Sequence, residues 1–425
     1  MTDYVEAFRA NLPAGITFDA TLNRYFCNDK RYLNEWEVEA YLNYVKKFGF
    51  TAISAYAILG LEPPLVLDFE ESYFRTDGTA TDLVSASTHT RATSATYVDA
   101  NGILQIAAIN EPRVGHHIWN GSAWVYEGYL HESESRVQLL HTTNALVTQS
   151  KIVSAVPHTL HFTGTGTVTL SGASTAGPLV GTGTGEENRV SLTFTPTAGT
   201  LTVTPSGDVF DAQLEVGSTP SSYIPNLAAS GEVTRAADAM TIPAANLPWN
   251  PLAVSIQMEG TMTYADTGTS GSGSGGSGDA VFYYWHINAG NYIESFLATN
   301  NDQDLISFAQ ESSGVRDVVN LFFGPTPGIN VPFNIASRHG STFINGAVDG
   351  TALTADLTPT ALPYLENTDM QIGSTFNGTI KLFRMWADDL TDEGIATGTI
   401  ADNAFSVSGG YFLTADGEYL IVEET

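Results

Sequence analysis

Positive charge is scarce in this sequence. Only 17 of its 425 residues are Lys or Arg, against 46 Asp and Glu, which leaves a formal net charge of −29. Nucleic-acid binding depends on a basic footprint that neutralises phosphates, so that class of function is excluded at the outset. The same repulsion disfavours an anionic membrane surface. Cysteine is nearly absent, and Cys27 by itself rules out an intramolecular disulfide framework and any multi-cysteine zinc site. Beside Tyr25 and Phe26 it reads as a small buried hydrophobe. No apolar run is long enough for a bilayer, which needs roughly 18 residues; the longest, Phe48 to Leu61, is closed by Pro63-Pro64. No membrane insertion is expected. The opening Met1-Thr2-Asp3-Tyr4-Val5-Glu6 is acidic where a secretion signal would be basic, so no signal peptide and synthesis in a cytoplasm are the expectation.

What is present favours β structure. Hydrophobic residues make up 43% and aromatic residues 11%, enough for sizeable cores, while 40 glycines supply turns for many short strands. The length fits two or three domains. Residues 1–65 hold the clearest helix signal: Asn34 as a cap, Glu37 in the first turn, then Trp36, Tyr41, Leu42, Val45 and Phe48 at helical spacing, with Gly49 as the stop. A helical hairpin this small buries little surface alone, so it is expected to dock on a neighbour or a larger assembly.

From residue 66 the texture turns to Thr, Ser, Gly and Val with period two. Thr159 to Leu170 and Arg189 to Thr204 read as strands with one wet and one dry face, and turn residues recur every eight to twelve positions or so. Nothing alternates strand with helix, so a nucleotide-binding doubly wound sheet is not expected. A third region, 230–398, contains the Gly/Ser run Thr267 to Asp279 between two strand-like segments, Ala253 to Tyr264 and Val281 to Ile287. That run reads as a long solvent loop within one sandwich. Ile344-Asn345-Gly346 and Val348-Asp349-Gly350 read as tight turns. In the closing strand Ile380 and Leu382 are expected on one face, with Phe383 and Met385 on the other. Residues 399–425 read as a hairpin around Asp416-Gly417, an exposed ribbon with too little core of its own.

Several segments carry a resemblance. Thr90-Arg91 to Gly102, Glu111-Pro112-Arg113, Gly128 to Leu140 with Glu132, Glu134 and Arg136, and above all Phe210 to Pro225 are similar to segments of bacteriophage tail, head-fibre and gene-transfer-agent proteins. Phe210 to Pro225 resembles the last strand of a carbohydrate-binding-module-like jelly roll in those proteins, and Thr234-Arg235-Ala236-Ala237-Asp238 resembles the junction that follows it. The third region is similar to the concanavalin A-like, laminin-G-like sandwich, most specifically over Phe376 to Ile395. The resemblance implies a helical N-terminal anchor (1–65), a jelly roll (66–229), a concanavalin A-like sandwich (230–398) and a terminal hairpin (399–425). Laminin-G-like domains often hold calcium between loop carboxylates; Asp302 and Asp304 are the residues such an ion would use here, against the default of a solvated acidic loop.

Chemistry is harder to find. The nine histidines have poor metal spacing: His116 and His117 are adjacent, and His158 and His161 have no nearby cysteine or paired carboxylate. No nucleophile elbow, phosphate loop or dinucleotide fingerprint occurs. A glycosidase needs two carboxylates on one face. Glu132 and Glu134 meet that spacing, but the resemblance makes Glu132 part of a structural turn. For glycan binding, aromatic platforms with short polar side chains are required. Trp119, Trp124 and Tyr126 on one hairpin, and Tyr283 with Trp285 on another strand, are the candidates; each reads alternatively as core. The expectation is therefore a non-enzymatic virion fibre or spike, mainly β. Residues 1–65 would contact portal, capsid or tail proteins, the sandwiches would touch host-surface glycans weakly and in many copies, and the assembly would be a homotrimer. The alternatives are a glycosidase or depolymerase and a purely structural capsid decoration.

Overall fold

The computed structural model describes residues 63–264, 279–298, 305–321 and 330–399, together with the backbone of five short strands, Ile16–Asp19, Arg24–Cys27, Arg31–Leu33, Tyr411–Leu413 and Tyr419–Ile421. Two antiparallel β-sandwiches account for almost all of it. In the larger, one sheet runs in the order Thr351–Ala352, Ile344–Val348, Pro332–Gly340, Ala253–Tyr264, Asn377–Trp386, Leu65–Asp68, Tyr73–Thr76, Thr79–Thr81. The facing sheet runs Val315–Leu321, Leu305–Ser312, Asn291–Ala298, Asp279–Asn288, Met370–Ile372, Ala239–Ile242, Thr88–Thr90. Their inner faces bury Ile256, Met258, Phe282, Trp285, Ile293, Phe308, Ile335, Phe383 and Met385 in one core. The strands flanking the Gly/Ser run, Ala253–Tyr264 and Asp279–Asn288, lie in opposite sheets of this one sandwich, as the sequence predicts.

The smaller sandwich pairs a sheet of Gln149–Val153, Gly199–Ser206, Thr167–Gly172 and Leu179–Val180 with one of Val190–Phe194, His158–Thr163 and Phe210–Val216. Its core is Leu160, Phe162, Val168, Leu170, Leu201, Val203 and Leu214. Residues 66–229 do not form one sandwich, and this corrects the expected division. Leu65–Asp68, Tyr73–Thr76, Thr79–Thr81, Thr88–Thr90, Arg113–Trp119 and Trp124–Glu132 all hydrogen-bond into the larger sandwich. The smaller one is an insertion whose incoming and outgoing strands, Arg136–Gln138 and Val233–Arg235, pair with each other. Strand periodicity is identical in both sandwiches, so it carries no mark of which sheet a strand joins.

The strand Asn377–Trp386 stitches the large sheet together. Along one edge its first residues pair with Trp124–Glu132 (Ile380 opposite Tyr129) and its later ones with Leu65–Asp68 (Phe383 opposite Leu67). Where the partners change, Lys381 is bulged opposite Glu259 and Gly260. The bulge breaks the period-two pattern. Ile380 therefore joins Phe383 and Met385 in the core, and the expected split of Ile380 from Phe383 fails at this residue. Asn345-Gly346 is likewise strand rather than turn. A side chain at Gly346 would meet the Phe308 ring at 2.0 Å, so only glycine lets the two sheets close here. Asp349-Gly350, both at positive φ, does form the expected two-residue hairpin, with Val348 opposite Thr351.

Thr159 and His161, expected on a wet face, are buried. Residues 217–226 fold back across that sheet. Thr159 Oγ1 donates to the Gly217 carbonyl at 2.9 Å. The Glu215 carboxylate accepts from Ser221 N and Oγ at 2.8 and 2.6 Å, and Gln213 Oε1 accepts from Ile224 N at 2.6 Å. This is the physical content of the Phe210 to Pro225 motif.

The short helix Thr391–Gly398 follows the closing strand as expected and packs Ile395 on Ala336, Ala347 and Trp386. Arg338 ties it down through Asp389 at 3.1 Å and Asp392 at 2.9 Å. In the N-terminal stretch Ile16–Asp19, Arg24–Cys27 and Arg31–Leu33 form an antiparallel meander, so part of a region read as helical is β. The anchoring positions Trp36, Tyr41, Leu42, Val45 and Phe48 lie outside the described residues. The terminal strands Tyr411–Leu413 and Tyr419–Ile421 pair antiparallel across Asp416-Gly417, with Phe412 opposite Leu420.

Where the insertion meets the large sandwich, charged side chains are sealed from water. Arg113 bonds Glu132 at 2.7 Å and also Asp238; Arg91 bonds Asp238 at 2.9 Å; Arg235 lies 3.2 Å from Glu132. All five are at most 5% exposed. Ser222 donates its N–H and hydroxyl to Glu132 at 2.9 and 2.6 Å, which ties the end of the inserted unit to the same carboxylate. Burial alone would raise the Glu132 carboxyl, but Arg235 and Arg113 beside it hold it well below the ordinary range.

Removing one partner of such a group strands a buried charge. Glu132→Ala is expected to cost about 3–5 kcal/mol, read as a fall in the urea midpoint, whereas exposed Glu187→Ala should stay within about 0.5 kcal/mol.

The pH response has a definite sign. Burial pushes His116 and His339 down to about 3 and His89 to about 4. Each stays neutral when folded while the unfolded chain takes up a proton below about 6.5, so stability drops as pH falls. Glu132 and Asp238, with lowered folded values, add a further loss below about 4.5. Glu294, raised to about 7 by burial, opposes this from about pH 7 to 4.5, and Asp211, Asp279 and Asp349, also raised by burial, oppose it lower down, but the lowered groups outnumber them. The melting temperature should decline from about pH 7 to 4.5 and more steeply below. A rise toward pH 5 in a calorimetric series would contradict this account.

Candidate functional site

The five aromatic positions singled out from the sequence separate in the structure. Tyr283 and Trp285 are core residues, fully buried, and are corrected as glycan platforms. The Tyr283 hydroxyl meets Ser337 Oγ at 2.7 Å, and Trp285 Nε1 donates to the Thr368 carbonyl at 2.8 Å. The cause is a bulge at Phe282, where the register shifts between Val281 and Tyr283. Phe282, Tyr283 and Trp285 all reach the core, and Tyr284 faces outward, stacked on His286 at 4.1 Å between ring centroids.

Trp119 and Trp124 face each other across their hairpin at 5.4 Å with planes tilted 54°. Trp124 also packs against the neighbouring turn, since a side chain at Gly102 would meet its indole at 2.4 Å. Tyr126 is tied down by donating its hydroxyl to the Phe69 carbonyl. Asp302 and Asp304 lie outside the described residues. Among the described residues, no three His, Cys, Asp or Glu side chains come together as a metal site.

The carboxylates tell against one acid–base pair. Glu132 is buried, doubly paired with arginine and held ionised, and Glu134 bonds Arg136 at 2.9 Å. The carboxyl whose raised value suits a general acid is Glu294, pushed up to about 7 by burial. It is inaccessible to solvent and bonded to Arg316 at 3.1 Å, so no substrate reaches it in this conformation.

An arrangement the sequence did not single out lies at one end of the large sandwich. Trp249 packs edge-to-face on the buried Trp285 at 5.4 Å and edge-to-face on Tyr364 at 5.7 Å. The three rings step from core to solvent, and Tyr364 is 57% exposed. The Trp249 indole walls an open cleft of about 680 Å³ together with Pro64, Asp77, Leu247, Glu366 and Asn367. Two loops build it. Ala244–Asn246 is a single 3₁₀ turn held by the Asp369 carboxylate, which accepts from Ala244 N at 2.8 Å, and by Asn246 Nδ2 donating to Ser85 O at 2.7 Å. Thr368, whose carbonyl anchors Trp285, closes a turn on Leu365 O at 2.9 Å and so places Tyr364 and Glu366 beside Trp249. Tyr364 donates its hydroxyl to Glu366, which raises the phenol above its ordinary range. A rigid, partly exposed indole flanked by carboxylate and amide groups offers a flat apolar face with hydrogen-bonding groups at its rim.

No family profile and no curated protein sequence matches the chain. Among solved structures, the chain is similar to a CBM40 of a Ruminococcus gnavus IT-sialidase at 10% identity, over 35% of this chain and 84% of that one, with a TM-score of 0.27. It is also similar to domain 4 of the GH43 extracellular arabinanase AbnA from Geobacillus stearothermophilus at 10% identity, over 55% and 87% of the two chains, TM-score 0.27. A SAP-like pentraxin from Limulus polyphemus aligns at 5% identity over 42% and 84%, TM-score 0.27. At these scores the likenesses decide nothing about the cleft.

The separation of core from surface rings is open to direct measurement. Trp285→Ala should cost about 3–5 kcal/mol of stability, as expected for a buried aromatic. Tyr364→Ala should cost under about 1 kcal/mol. Equal losses would place Tyr364 in the core.

Proposed function

We propose that this chain is a virion structural protein of the fibre or spike kind that displays its β-sandwiches for weak, multivalent contact with host-surface glycans, and that the Trp249 cleft makes that contact. One observation carries the glycan reading: an indole fixed edge-on by a buried neighbour, open to solvent, with Asn367, Glu366 and Asp77 at its rim. A sugar offers an apolar ring face and a belt of hydroxyls, and this wall matches both. Single contacts of this type are weak and gain strength through many copies. The virion setting rests on the sequence resemblance. Its motif residues Arg91, Arg113, Glu132, Arg235 and Asp238 meet in one buried junction, which accounts for why those residues occur together. In this reading residues 1–65 anchor the chain to other virion proteins, three copies assemble, and the chain is not an enzyme.

A glycan array probed with the whole chain tests the reading. Trp249→Ala and Tyr364→Ala should each weaken binding by about tenfold or more, equivalent to about 1.4 kcal/mol, while Trp119→Ala leaves it unchanged. Loss of signal in Trp119→Ala alone would move the site to the hairpin. Binding to no glycan would favour a purely structural decoration, and release of reducing sugar would favour an enzyme. Removal of residues 1–62, which spares Pro64 in the cleft wall and the strand that starts at Leu65, should abolish incorporation into particles and keep glycan binding.

A further inference from the structure

The charge around the cleft narrows what it takes. Asp77 and Glu366 line it, and Asp369 sits directly behind Ala244, whose N–H it accepts at 2.8 Å. Among the described residues, no Lys or Arg lines the cleft. Arg75, on the strand Tyr73–Thr76, turns its guanidinium to Gly78, 3.6 Å from where a side chain there would begin, and does not line the cleft. The remaining lining groups are apolar or neutral: Pro64, Leu247, Pro248, Trp249, Asn367 and the alanines. A ligand carboxylate would thus meet like charge, with no lining cation among the described residues to pair it. A ligand ammonium would find two carboxylates and the negative face of an indole.

Resting on the glycan reading, we propose that the Trp249 cleft selects sugars bearing a protonated amino group, the unacetylated hexosamines, over neutral sugars, and rejects sugars bearing carboxylate. The aromatic wall supplies ring contact common to all three classes, and Asp77 and Glu366 supply the discrimination. Neutral sugars therefore still bind, only more weakly. The preference is local to the cleft, because the screening length at physiological salt is about 8 Å and exposed carboxylates farther off contribute little.

Calorimetric titration of the full chain with three disaccharides separates the possibilities: a glucosamine disaccharide, its N-acetylated form and a galacturonic acid disaccharide. Measured at about pH 6, below the roughly 7.7–8.0 of a model α-amine, the amino sugar carries its charge. It should bind about five- to tenfold more tightly than the acetylated form, and the galacturonic acid disaccharide should not bind measurably. Asp77→Asn with Glu366→Gln should close the gap between the first two while the acetylated sugar still binds. Glu187→Gln, an exposed change on the smaller sandwich, should leave the gap intact. A gap that survives the double variant, or galacturonic acid binding as well as the neutral sugar, would overturn the charge selection and leave glycan binding standing. Binding by none of the three would overturn both.

Discussion

The arrangement of this molecule hangs on a knot of buried charge. Arg91, Arg113 and Arg235 converge on Glu132 and Asp238 where the inserted sandwich leaves and rejoins the larger one. The five residues come from four stretches of chain, with Arg235 and Asp238 sharing one. Asp238 accepts from the Glu132 N–H at 2.9 Å, and Glu132 O accepts from the Asp238 N–H at 2.8 Å, so the two carboxylate-bearing segments are locked in register. Ion pairs of this kind add little net stability compared with apolar packing, because desolvating five charges costs nearly what their attraction returns. Their effect is geometric. Only one arrangement of the segments leaves no charge unpaired, so the angle between insertion and host sandwich is set by hydrogen-bond directions.

That constraint spreads through the strand Asn377–Trp386. Its pairing with Trp124–Glu132 carries the position of Glu132 into the middle of the large sheet, and its pairing with Leu65–Asp68 brings in the start of the described chain. One bulge at Lys381 lets a single edge serve both partners. The small helix after it closes over the outer face through Arg338, whose contacts with Asp389 and Asp392 again use charge to fix an angle. Packing supplies the stability of the large core, and polar contacts decide how its parts are oriented.

The Trp249 cleft follows the same division of labour. Trp285 is buried and held by the Thr368 carbonyl; Trp249 leans on it; Tyr364 leans on Trp249. Rigidity passes outward from the core ring by ring, so an exposed indole is held without a tight loop of its own. A site on such a support loses little side-chain freedom on binding, which favours weak contacts repeated over many copies.

Period-two alternation, frequent turn residues and the absence of strand–helix alternation were enough to read a mainly antiparallel β protein, the Asp349-Gly350 hairpin and the helix after the closing strand, because these depend on neighbours a few residues apart. Composition alone excluded a basic footprint. Local pattern failed wherever a bulge reversed the faces, at Lys381 and at Phe282, and the second left Tyr283 and Trp285 open between core and surface until the bulge placed them in the core. The motif residues Arg91, Arg113, Glu132, Arg235 and Asp238 were visible as a pattern but not as a cluster, since their partners lie up to 147 positions apart. The sequence by itself determined the kind of structure, through hydrophobic periodicity and turn chemistry. Which strands share a sheet, where the insertion sits and which rings meet at Trp249 were decided only in three dimensions, because those contacts are made between segments that no local spacing relates.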